Sequence, residues 1–271
     1  MINLNILNIL KYRIVRIIES NPSINLLIYN NIRFFKFLLP HEKDYLGMKK
    51  ICINRNDFFI IDVGANLGIS SLGFRAMGFK NKIIIFEPNK EIYRKYLLKL
   101  SQNDNQIKLN NIALGHKNGN KNFYLPYINK KSIHYFGTFD KNYLINSLKL
   151  TFPNLTKKIK IRKNKIKILK YDSLNIKGKP HFIKIDVEGY DHFVLRGFAK
   201  TIKRHKPIFL VEYNIENYYR IVKILKGYES FFYDIKTDKL IKLKKKYLND
   251  RIARTNKKNL LSIRNIYFIP R

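Results

Sequence analysis

The sequence predicts an α/β fold in which a mostly parallel sheet carries helices on both faces. From Phe58 onward, short apolar runs alternate with segments of helical spacing, which is typical of parallel sheets with right-handed crossovers. The chain has 271 residues, of which 45% are hydrophobic, so it can bury the core of one large domain. A turn that contains Gly64 and Gly68 follows the first apolar run directly.

The predicted strands and helices follow one another in a regular order. The first three strands are FFIIDVG, KIIIFEP and IKLNNIALG, and the helices between them are LGISSLGFRAMG and KEIYRKYLLKLSQ. Next come an added strand, NKNFYLP, and the strand-like KIKILKYDSL. A further strand–helix–strand unit consists of HFIKIDVEG, YDHFVLRGFAKTIKR and PIFLVEY. The last part holds a helix near residues 216–226 and the strands YESFFYD, KLIKL and NIYFIPR.

Residues 1–50 are predicted to form a helical N-terminal appendage to a main domain of residues 51–271. Apolar residues recur at helical spacing between residues 2 and 39, with a break near Pro22, and HEKDYLGMKKI is a further short helix. The apolar stripe suits packing on the main domain or contact with an anionic membrane. Within the main domain, residues 127–163 are predicted to be a variable insertion.

The net charge of +35 comes from 54 Lys and Arg residues against 19 Asp and Glu residues. Such an excess favours nucleic acid, an anionic membrane or an acidic glycan as partner. It also agrees with codon bias, because the chain is rich in Lys, Asn, Ile, Tyr and Phe, and its lysines are scattered. A nucleic-acid partner is not favoured, because the sequence has no compact basic stripe with interleaved aromatic residues.

Cysteine usage and hydropathy indicate a cytoplasmic protein. Cys52 is the only cysteine, so no disulfide can form within the chain, and a reducing compartment fits. No run reaches the ~18 apolar residues of a membrane-spanning helix, and the N-terminus lacks the features of a signal peptide. We therefore expect a cytoplasmic location, peripheral to the membrane if the N-terminal stripe binds lipid. Spacings typical of zinc ligands are absent from the sequence, and no metal site is assigned.

The turn after the first strand predicts a nucleoside-binding site. Asp62, Gly64, Asn66 and Gly68 occupy every second position, and the glycines permit a tight turn and a close backbone approach to a ligand. Glu87 ends the next strand about 20 residues later, where an acid holds a ribose diol in dinucleotide-binding folds. The third glycine of the G-x-G-x-x-G pattern is missing, which favours a ligand without a pyrophosphate.

Seven segments resemble the FkbM-type methyltransferase family in their order and spacing, over roughly residues 58–214. They are FIIDVGANLGISS, IIIFEPN, NNIALG, NGNKNFY, KYDSL, IKIDVEGYDHFVLRG and PIFLVEYN. The resemblance implies a Rossmann-like class I methyltransferase sheet, S-adenosylmethionine as the methyl donor, and methylation of a hydroxyl on a sugar or small metabolite.

The same resemblance implies roles for single residues. The methionine side of the donor would be lined by Asp62, Gly64, Asn66 and Gly68, and Glu87 would bind its ribose. Asn111 and Ala113 would lie beside the adenine, although a polar residue next to a helix and a packing alanine are the simpler interpretation of these two.

The strand IKIDVEG carries charged residues at the place where donor and acceptor would meet. Lys184, Asp186 and Glu188 are predicted to share one face near the carboxyl end of the fourth parallel strand, at the topological switch point. Lys184 would lie deepest, Asp186 nearer the rim, and Glu188 at the rim or in the following turn. Asp186 or Glu188 could take a proton from a hydroxyl, or could hold a divalent cation with oxygen ligands. Lys184 could neutralise Asp186 or Glu212, and the alternative is a structural ion pair. Further candidates for the base are His134, Tyr135, His181, Tyr190 and His192.

The sequence therefore favours an S-adenosylmethionine-dependent O-methyltransferase that acts on a small-molecule or glycan acceptor. A methyltransferase of nucleic acid is one alternative, although no NPPY-like turn follows the fourth strand. The other is a non-catalytic protein that binds membrane surfaces or polyanions and retains the fold. The sequence does not indicate an oligomeric state.

Overall fold

The computed structural model describes residues 40, 42–52, 58–128, 131–152, 156–244 and 264–271. The helices predicted within residues 1–39 lie outside the described residues, and the proposed role of their apolar stripe stays a prediction. In the described part of the chain, no helix is long and apolar enough to cross a membrane.

The strands are, in chain order, β1 (Phe58–Val63), β2 (Lys82–Phe86), β3 (Ile107–Asn110), β4 (Ala113–Leu114), β5 (Gly119–Ile128), β6 (Lys131–Ser132), β7 (Lys160–Leu169), β8 (Lys179–Ile185), β9 (Ile208–Glu212), β10 (Tyr228–Asp234), β11 (Lys239–Lys242) and β12 (Asn265–Pro270). Eight of them form one sheet, in the order β11-β10-β12-β9-β8-β1-β2-β3. The part from β9 to β3 pairs in parallel, whereas β12, β10 and β11 are antiparallel. The predicted, mostly parallel α/β sheet is confirmed.

The helices are α1 (Met48–Ile51), α2 (Ile69–Ala76), α3 (Lys90–Ile92), α4 (Leu98–Asn103), α5 (Lys141–Thr151), α6 (Asp191–Arg196), α7 (Ala199–His205) and α8 (Ile215–Ile224). A π-helical segment, Tyr93–Leu97, joins α3 to α4. Short 3₁₀ segments are Lys43–Gly47, His134–Phe136, Thr156–Lys158 and Tyr171–Ser173. Strand β1 is buried along its whole length, because alternate residues face different apolar clusters, Ile60 on one side and Ile61 on the other.

Two predicted elements are divided in the structure. The predicted third strand, residues 107–115, ends at Asn110, and β4 belongs to a second sheet. The helix predicted from Tyr190 breaks between α6 and α7 at Gly197, where a Cβ atom would lie 2.2 Å from the backbone oxygen of Gly115. That close approach between distant parts of the chain is available only to glycine.

The second sheet has the order β4-β7-β5-β6 and contains both ends of the predicted insertion, residues 127–163. Strands β5 and β7 pair antiparallel along nearly their whole length, from Gly119 with Ile168 to Tyr127 with Lys160. Helix α5 lies between these strands in the chain, and its N-cap Asp140 accepts hydrogen bonds from the backbone amides of two residues of the first turn. The insertion is therefore ordered along much of its length.

The segment before α1 is fastened to the C-terminal strand. The Asp44 carboxylate accepts hydrogen bonds of 2.9 Å from both the backbone amide and the side-chain amide of Asn265. The hydroxyl of Tyr267 donates to the backbone oxygen of Asp44 at 2.7 Å. Burial raises the pKa of Asp44 to about 7. Because β12 lies between β9 and β10, this contact ties residues near both ends of the chain to the middle of the sheet.

Candidate active site

The carboxyl ends of β1 and β8 bring several of the predicted site residues together. The two strands are parallel neighbours, and Asp62 is the register partner of Lys184. Both residues are buried, with 0% of Asp62 and 2% of Lys184 exposed. A single charge at this depth would be costly, so the two charges must be compensated within the protein.

Lys184 lies between two carboxylates. Its Nζ atom is 3.4 Å from Oδ1 of Asp62 and 3.2 Å from Oδ2 of Asp186, and it donates a 3.3 Å hydrogen bond to the backbone oxygen of Gly64. Burial alone would lower the pKa of Lys184, but the charges of Asp186 and Asp62 outweigh it and raise that pKa above its ordinary value. Lys184 therefore carries its charge at neutral pH.

Asp62 fixes the first turn of α2. Its Oδ2 atom accepts hydrogen bonds from the hydroxyls of Ser70 at 2.5 Å and Ser71 at 2.7 Å, and Lys184 faces its Oδ1 atom. The carboxylate is fully enclosed, so its partners are protein groups. Asp62 therefore links β1 to the first turn of α2, and its predicted contact with a ligand stays a prediction.

The turn between β1 and α2 uses left-handed backbone conformations. Gly64 has φ of 74°, Asn66 of 50° and Gly68 of 79°. A Cβ atom on Gly64 would lie 2.0 Å from the backbone oxygen of Asp186, and one on Gly68 would lie 2.6 Å from Leu100. Gly64 is thus required by conformation and by space, whereas Gly68 is required by its conformation, because the end of the Leu100 side chain can shift. Among the described residues, the buried Oδ1 atom of Asn66 has no hydrogen-bond partner.

Glu87 follows β2 and is buried beside this turn. Its Oε2 atom accepts a hydrogen bond of 2.9 Å from the amide of Asn66, and its Oε1 atom accepts one of 2.8 Å from the amide of Asn89. Burial raises the pKa of Glu87 to about 7, although both amide donors act to lower it. A carboxylate has about four lone-pair sites, so two further hydroxyl donors can be accommodated.

Asn111 and Ala113 contact different parts of the structure. The side-chain amide of Asn111 donates to the backbone oxygen of Glu87 at 2.9 Å, which links the end of β3 to the end of β2. Ala113 is buried in β4, where it pairs with Ile168 of the second sheet. Asn111 therefore lies beside Glu87, and Ala113 is packed where β4 pairs with β7. The position of both residues beside an adenine stays a prediction.

Three carboxylates meet beyond the ends of β8 and β9. Oxygen atoms of Asp186, Glu188 and Glu212 lie within 4.8 Å of one another, and all three residues are partly exposed. Glu188 was predicted at the rim of the strand or in the following turn; β8 ends at Ile185 and Glu188 has φ of 50°. It lies in the turn after the strand, where strand alternation no longer applies. Such oxygen groups could hold a hard divalent cation, although acidic groups also cluster without one.

The insertion holds the turn that carries Glu188. The hydroxyl of Thr138 donates to the backbone oxygen of Glu188 at 2.8 Å, and the hydroxyl of Tyr143 donates to its Oε2 atom at 3.3 Å. A Cβ atom on Gly189 would lie 3.2 Å from the Tyr143 ring, so the ring closely covers the backbone there. No pattern in the sequence indicated a role for Tyr143, because Glu188, which it contacts, is 45 positions away in the chain.

The other predicted bases lie in different places. His181 is near the start of β8, at the end opposite the carboxylates, and stacks on Phe58 at 4.2 Å between ring centroids. His134 is buried in the insertion, where burial lowers its pKa to about 4, and the Tyr135 ring packs on it edge to face. The two that line a cavity next to the turn are Tyr190 and His192.

Comparison with known proteins points to one family. The model of the methyltransferase FkbM domain matches residues 62–237, which is more than half of the chain. The solved structures that resemble the chain include the methyltransferase FkbM from Methylobacillus flagellatus, with 14% identity and a TM-score of 0.48 over 86% of this chain. The chain spans about half the length of that protein, 47%.

A second solved structure with similarity is the precorrin-6y C5,15-methyltransferase from Geobacter metallireducens. It shares 10% identity and has a TM-score of 0.39 over 83% of this chain and 85% of its own. No curated protein sequence matches the chain.

Proposed function

Because this chain belongs to the methyltransferase FkbM domain family, we propose that it is an S-adenosylmethionine-dependent O-methyltransferase that acts on a hydroxyl of a sugar or small metabolite. The observation that carries the proposal is the buried Glu87 carboxylate beside the Gly64–Gly68 turn, with both oxygens oriented by backbone amides. When bound, S-adenosylmethionine supplies an electrophilic methyl group.

The residues around the turn fit this donor. Glu87 has lone pairs left for the two hydroxyls of a ribose, and the buried Oδ1 atom of Asn66 still needs a donor. Asp62 would support the donor site through other residues, since it holds Lys184 and α2 in position. The donor site would therefore consist of Glu87, Asn66 and the turn backbone.

Asp186 and Glu188 would receive the acceptor at the mouth of the same site. Asp186 is fixed by Lys184, and Glu188 by Tyr143, so both carboxylates present oriented oxygen atoms to a hydroxyl-bearing molecule. In methyl transfer, alignment of the reacting atoms supplies much of the acceleration. A divalent cation held by the carboxylate cluster is compatible with this arrangement, but the proposal does not require one.

Calorimetry tests the donor part of the proposal. The protein should bind S-adenosylmethionine and S-adenosylhomocysteine, and it should not bind NAD. Glu87→Gln should weaken donor binding by about 1–3 kcal/mol, the range for loss of charge-assisted hydrogen bonds. The matched control is Glu91→Gln, because Glu91 lies only four positions along the chain at the start of a helix. Tight NAD binding, or equal affinity in both variants, would contradict the proposal.

Transfer of a labelled methyl group tests the acceptor part. The protein should label a component of fractionated small metabolites, glycans or lipid-linked sugars, with and without a chelator of divalent cations. Asp186→Asn should abolish labelling while donor affinity stays largely intact. If label appears only in nucleic acid, the proposed acceptor class is wrong.

A further inference from the structure

A chain of buried polar residues leads from the turn of Glu188 to a cavity. The Asp191 Oδ1 atom accepts a hydrogen bond of 3.3 Å from the backbone amide of Val187, and its Oδ2 atom accepts one of 2.5 Å from the Asn217 side-chain amide. The Oδ1 atom of Asn217 lies 2.8 Å from Nδ1 of His192. All three side chains are at least 96% buried, so α6 and α8 are joined by a hydrogen-bonded chain inside the protein.

The order of donors in this chain determines the tautomer of His192. Burial raises the pKa of Asp191 to about 7. Above that pH its carboxylate only accepts, so the Asn217 NH₂ group must point toward it, and the Asn217 carbonyl oxygen must point toward His192. Nδ1 of His192 must then carry the proton, and Nε2 is left with a lone pair. Nε2 has no hydrogen-bond partner among the residues that the structure describes.

His192 lines a cavity of about 230 Å³. Its wall includes Gly189, the residue after Glu188, and the rings of Tyr190 and Phe193. The lining contains three cationic side chains, Lys121, Lys141 and Arg220, against the single carboxylate of Asp140. Aromatic walls, a cationic excess and one ring nitrogen with a free lone pair suit a hydroxyl-bearing molecule that also carries negative charge.

We propose that this cavity binds the acceptor, a hydroxyl-bearing molecule with an anionic group, and that Nε2 of His192 receives the proton of the hydroxyl that becomes methylated. Asn217 and Asp191 are positioning residues, because they act through His192. The inference rests on the proposed O-methyl transfer: the hydroxyl oxygen forms a bond to the methyl carbon, the sulfur–carbon bond breaks with its electron pair going to sulfur, and the proton goes to Nε2.

The protonation state of His192 agrees with this role. Burial lowers the pKa of His192, and the positive charges of Arg220 and Arg196 act in the same direction, whereas the bond to Asn217 opposes them. The ring is therefore neutral near pH 7. An imidazole is also a stronger base than an ordinary carboxylate.

Nuclear magnetic resonance of labelled histidine side chains tests the positioning chain directly. At about pH 8, His192 of the wild-type protein should be the Nδ1–H tautomer. In Asp191→Asn, the new NH₂ group should donate to Asn217, whose amide turns over and donates to Nδ1, so His192 should change to the Nε2–H tautomer. The control is Asp172→Asn, because Asp172 accepts bonds from Lys200 and Thr201 of the neighbouring helix and does not contact this chain of residues.

The wild-type spectrum alone can overturn the inference, whether or not Asp191→Asn folds. An Nε2–H tautomer in the wild-type protein, or no change of tautomer in a folded Asp191→Asn protein, means that the chain does not prepare His192 as a base. Donor binding distinguishes this failure from failure of the proposed function, because S-adenosylmethionine should bind the wild-type, Asp191→Asn and His192→Gln proteins alike.

Inorganic phosphate is the probe for the anionic part of the ligand. It should shift the His192 side-chain resonances of the wild-type protein in a saturable way, and the shift should be weaker in Arg220→Gln. Arg204→Gln, on α7 and not in the lining of the cavity, should respond like the wild type. Equal responses in the two variants would show that the cavity does not select an anion.

With an acceptor identified by labelling, His192→Gln should lower methyl transfer by about 100-fold or more, the range of general base catalysis. His205→Gln, at the end of α7, should keep the wild-type rate. A wild-type rate in His192→Gln would assign the proton to another group.

Discussion

Asp62 and Lys184 are register partners on neighbouring parallel strands, and their charged atoms lie 3.4 Å apart inside the protein. The pair lies where β1 ends in the glycine turn and β8 ends in the carboxylate cluster. One lysine therefore sets the relative position of the glycine turn and the carboxylate cluster, because it contacts the backbone of Gly64 as well as the side chain of Asp186.

Lys184→Met should destabilise the fold strongly. It keeps much of the side-chain volume but leaves the buried carboxylate of Asp62 without its cation, a change that typically costs about 3–5 kcal/mol. Urea unfolding gives the free energy of unfolding. Lys242→Met is the control, since the Lys242–Glu229 ion pair at 2.6 Å is exposed and its loss should change stability little. Similar losses in the two variants would mean that the buried pair has no special role.

Adenosine should bind more tightly as the pH rises through about 7, by up to roughly tenfold. The pKa of Glu87 is about 7 in the folded protein, and only the ionised carboxylate forms charge-assisted bonds with ribose hydroxyls. Adenosine has no group that titrates near this pH, so calorimetry between about pH 6 and 8 reports on the protein. The slope should disappear in Glu87→Gln and persist in Glu91→Gln; a slope that survives in Glu87→Gln belongs to another group.

The same pKa predicts a dependence of stability on pH. The pKa of Glu87 in the folded protein, about 7, lies above its ordinary value of 4.5. Between these two pH values, folded Glu87 therefore keeps a proton that the unfolded chain has lost. The stabilising contribution is complete below 4.5 and is lost as the pH rises through 7. Relative to Glu87→Gln, the wild-type protein should therefore lose unfolding free energy across this window, as measured by urea titrations at several pH values. Parallel curves for the two proteins would contradict the prediction.

Gly64→Ala should destabilise the protein by about 1–3 kcal/mol more than Gly78→Ala, the range for overpacking in a tightly packed interior. Both glycines have positive φ, 74° and 94° respectively, so both substitutions cause backbone strain. A Cβ atom at Gly64 would also meet the backbone oxygen of Asp186 at 2.0 Å, whereas nothing lies within 4 Å at Gly78. Thermal and urea unfolding of the two variants measures the difference, and equal losses would indicate that the turn can relax.

Tyr143→Phe should slow methyl transfer by roughly threefold to tenfold, which corresponds to one neutral hydrogen bond of about 0.5–1.5 kcal/mol. The ring still covers Gly189, but the hydroxyl no longer orients Glu188. Initial rates at saturating donor measure the effect. Tyr219→Phe is the control, because Tyr219 is half exposed on α8. If the two variants retain equal rates, the insertion does not orient the carboxylate.

Local patterns predicted the sheet well and failed where distant segments meet. Apolar runs predicted β1, β2, β8 and β9, because most residues of each strand are buried and are consecutive in the sequence. Glu188 was predicted at the rim of β8 or in the following turn, and the structure places it in the turn, in a left-handed conformation.

The candidate site, like the sheet, was predictable where the interacting residues are close in the sequence and not where they are distant. Lys184 was predicted to pair with Asp186, and this ion pair is present. The contact of Lys184 with Asp62 depends on the register of two strands that are more than 100 residues apart in the chain. His192 was one of several candidate bases, but its connection through Asn217 to Asp191 requires α6 and α8 to be packed together. Such contacts follow from tertiary structure and leave no periodic trace in the sequence.

The central position of β12 has a consequence for biosynthesis. Residues 265–270 pair between β9 and β10, so these two strands acquire their common neighbour only after residue 270 has been synthesised. Until then both present open edges with unpaired backbone groups, which are sites of aggregation. Ribosome-bound chains that stop before Asn265 should therefore depend on chaperones more than chains that include β12.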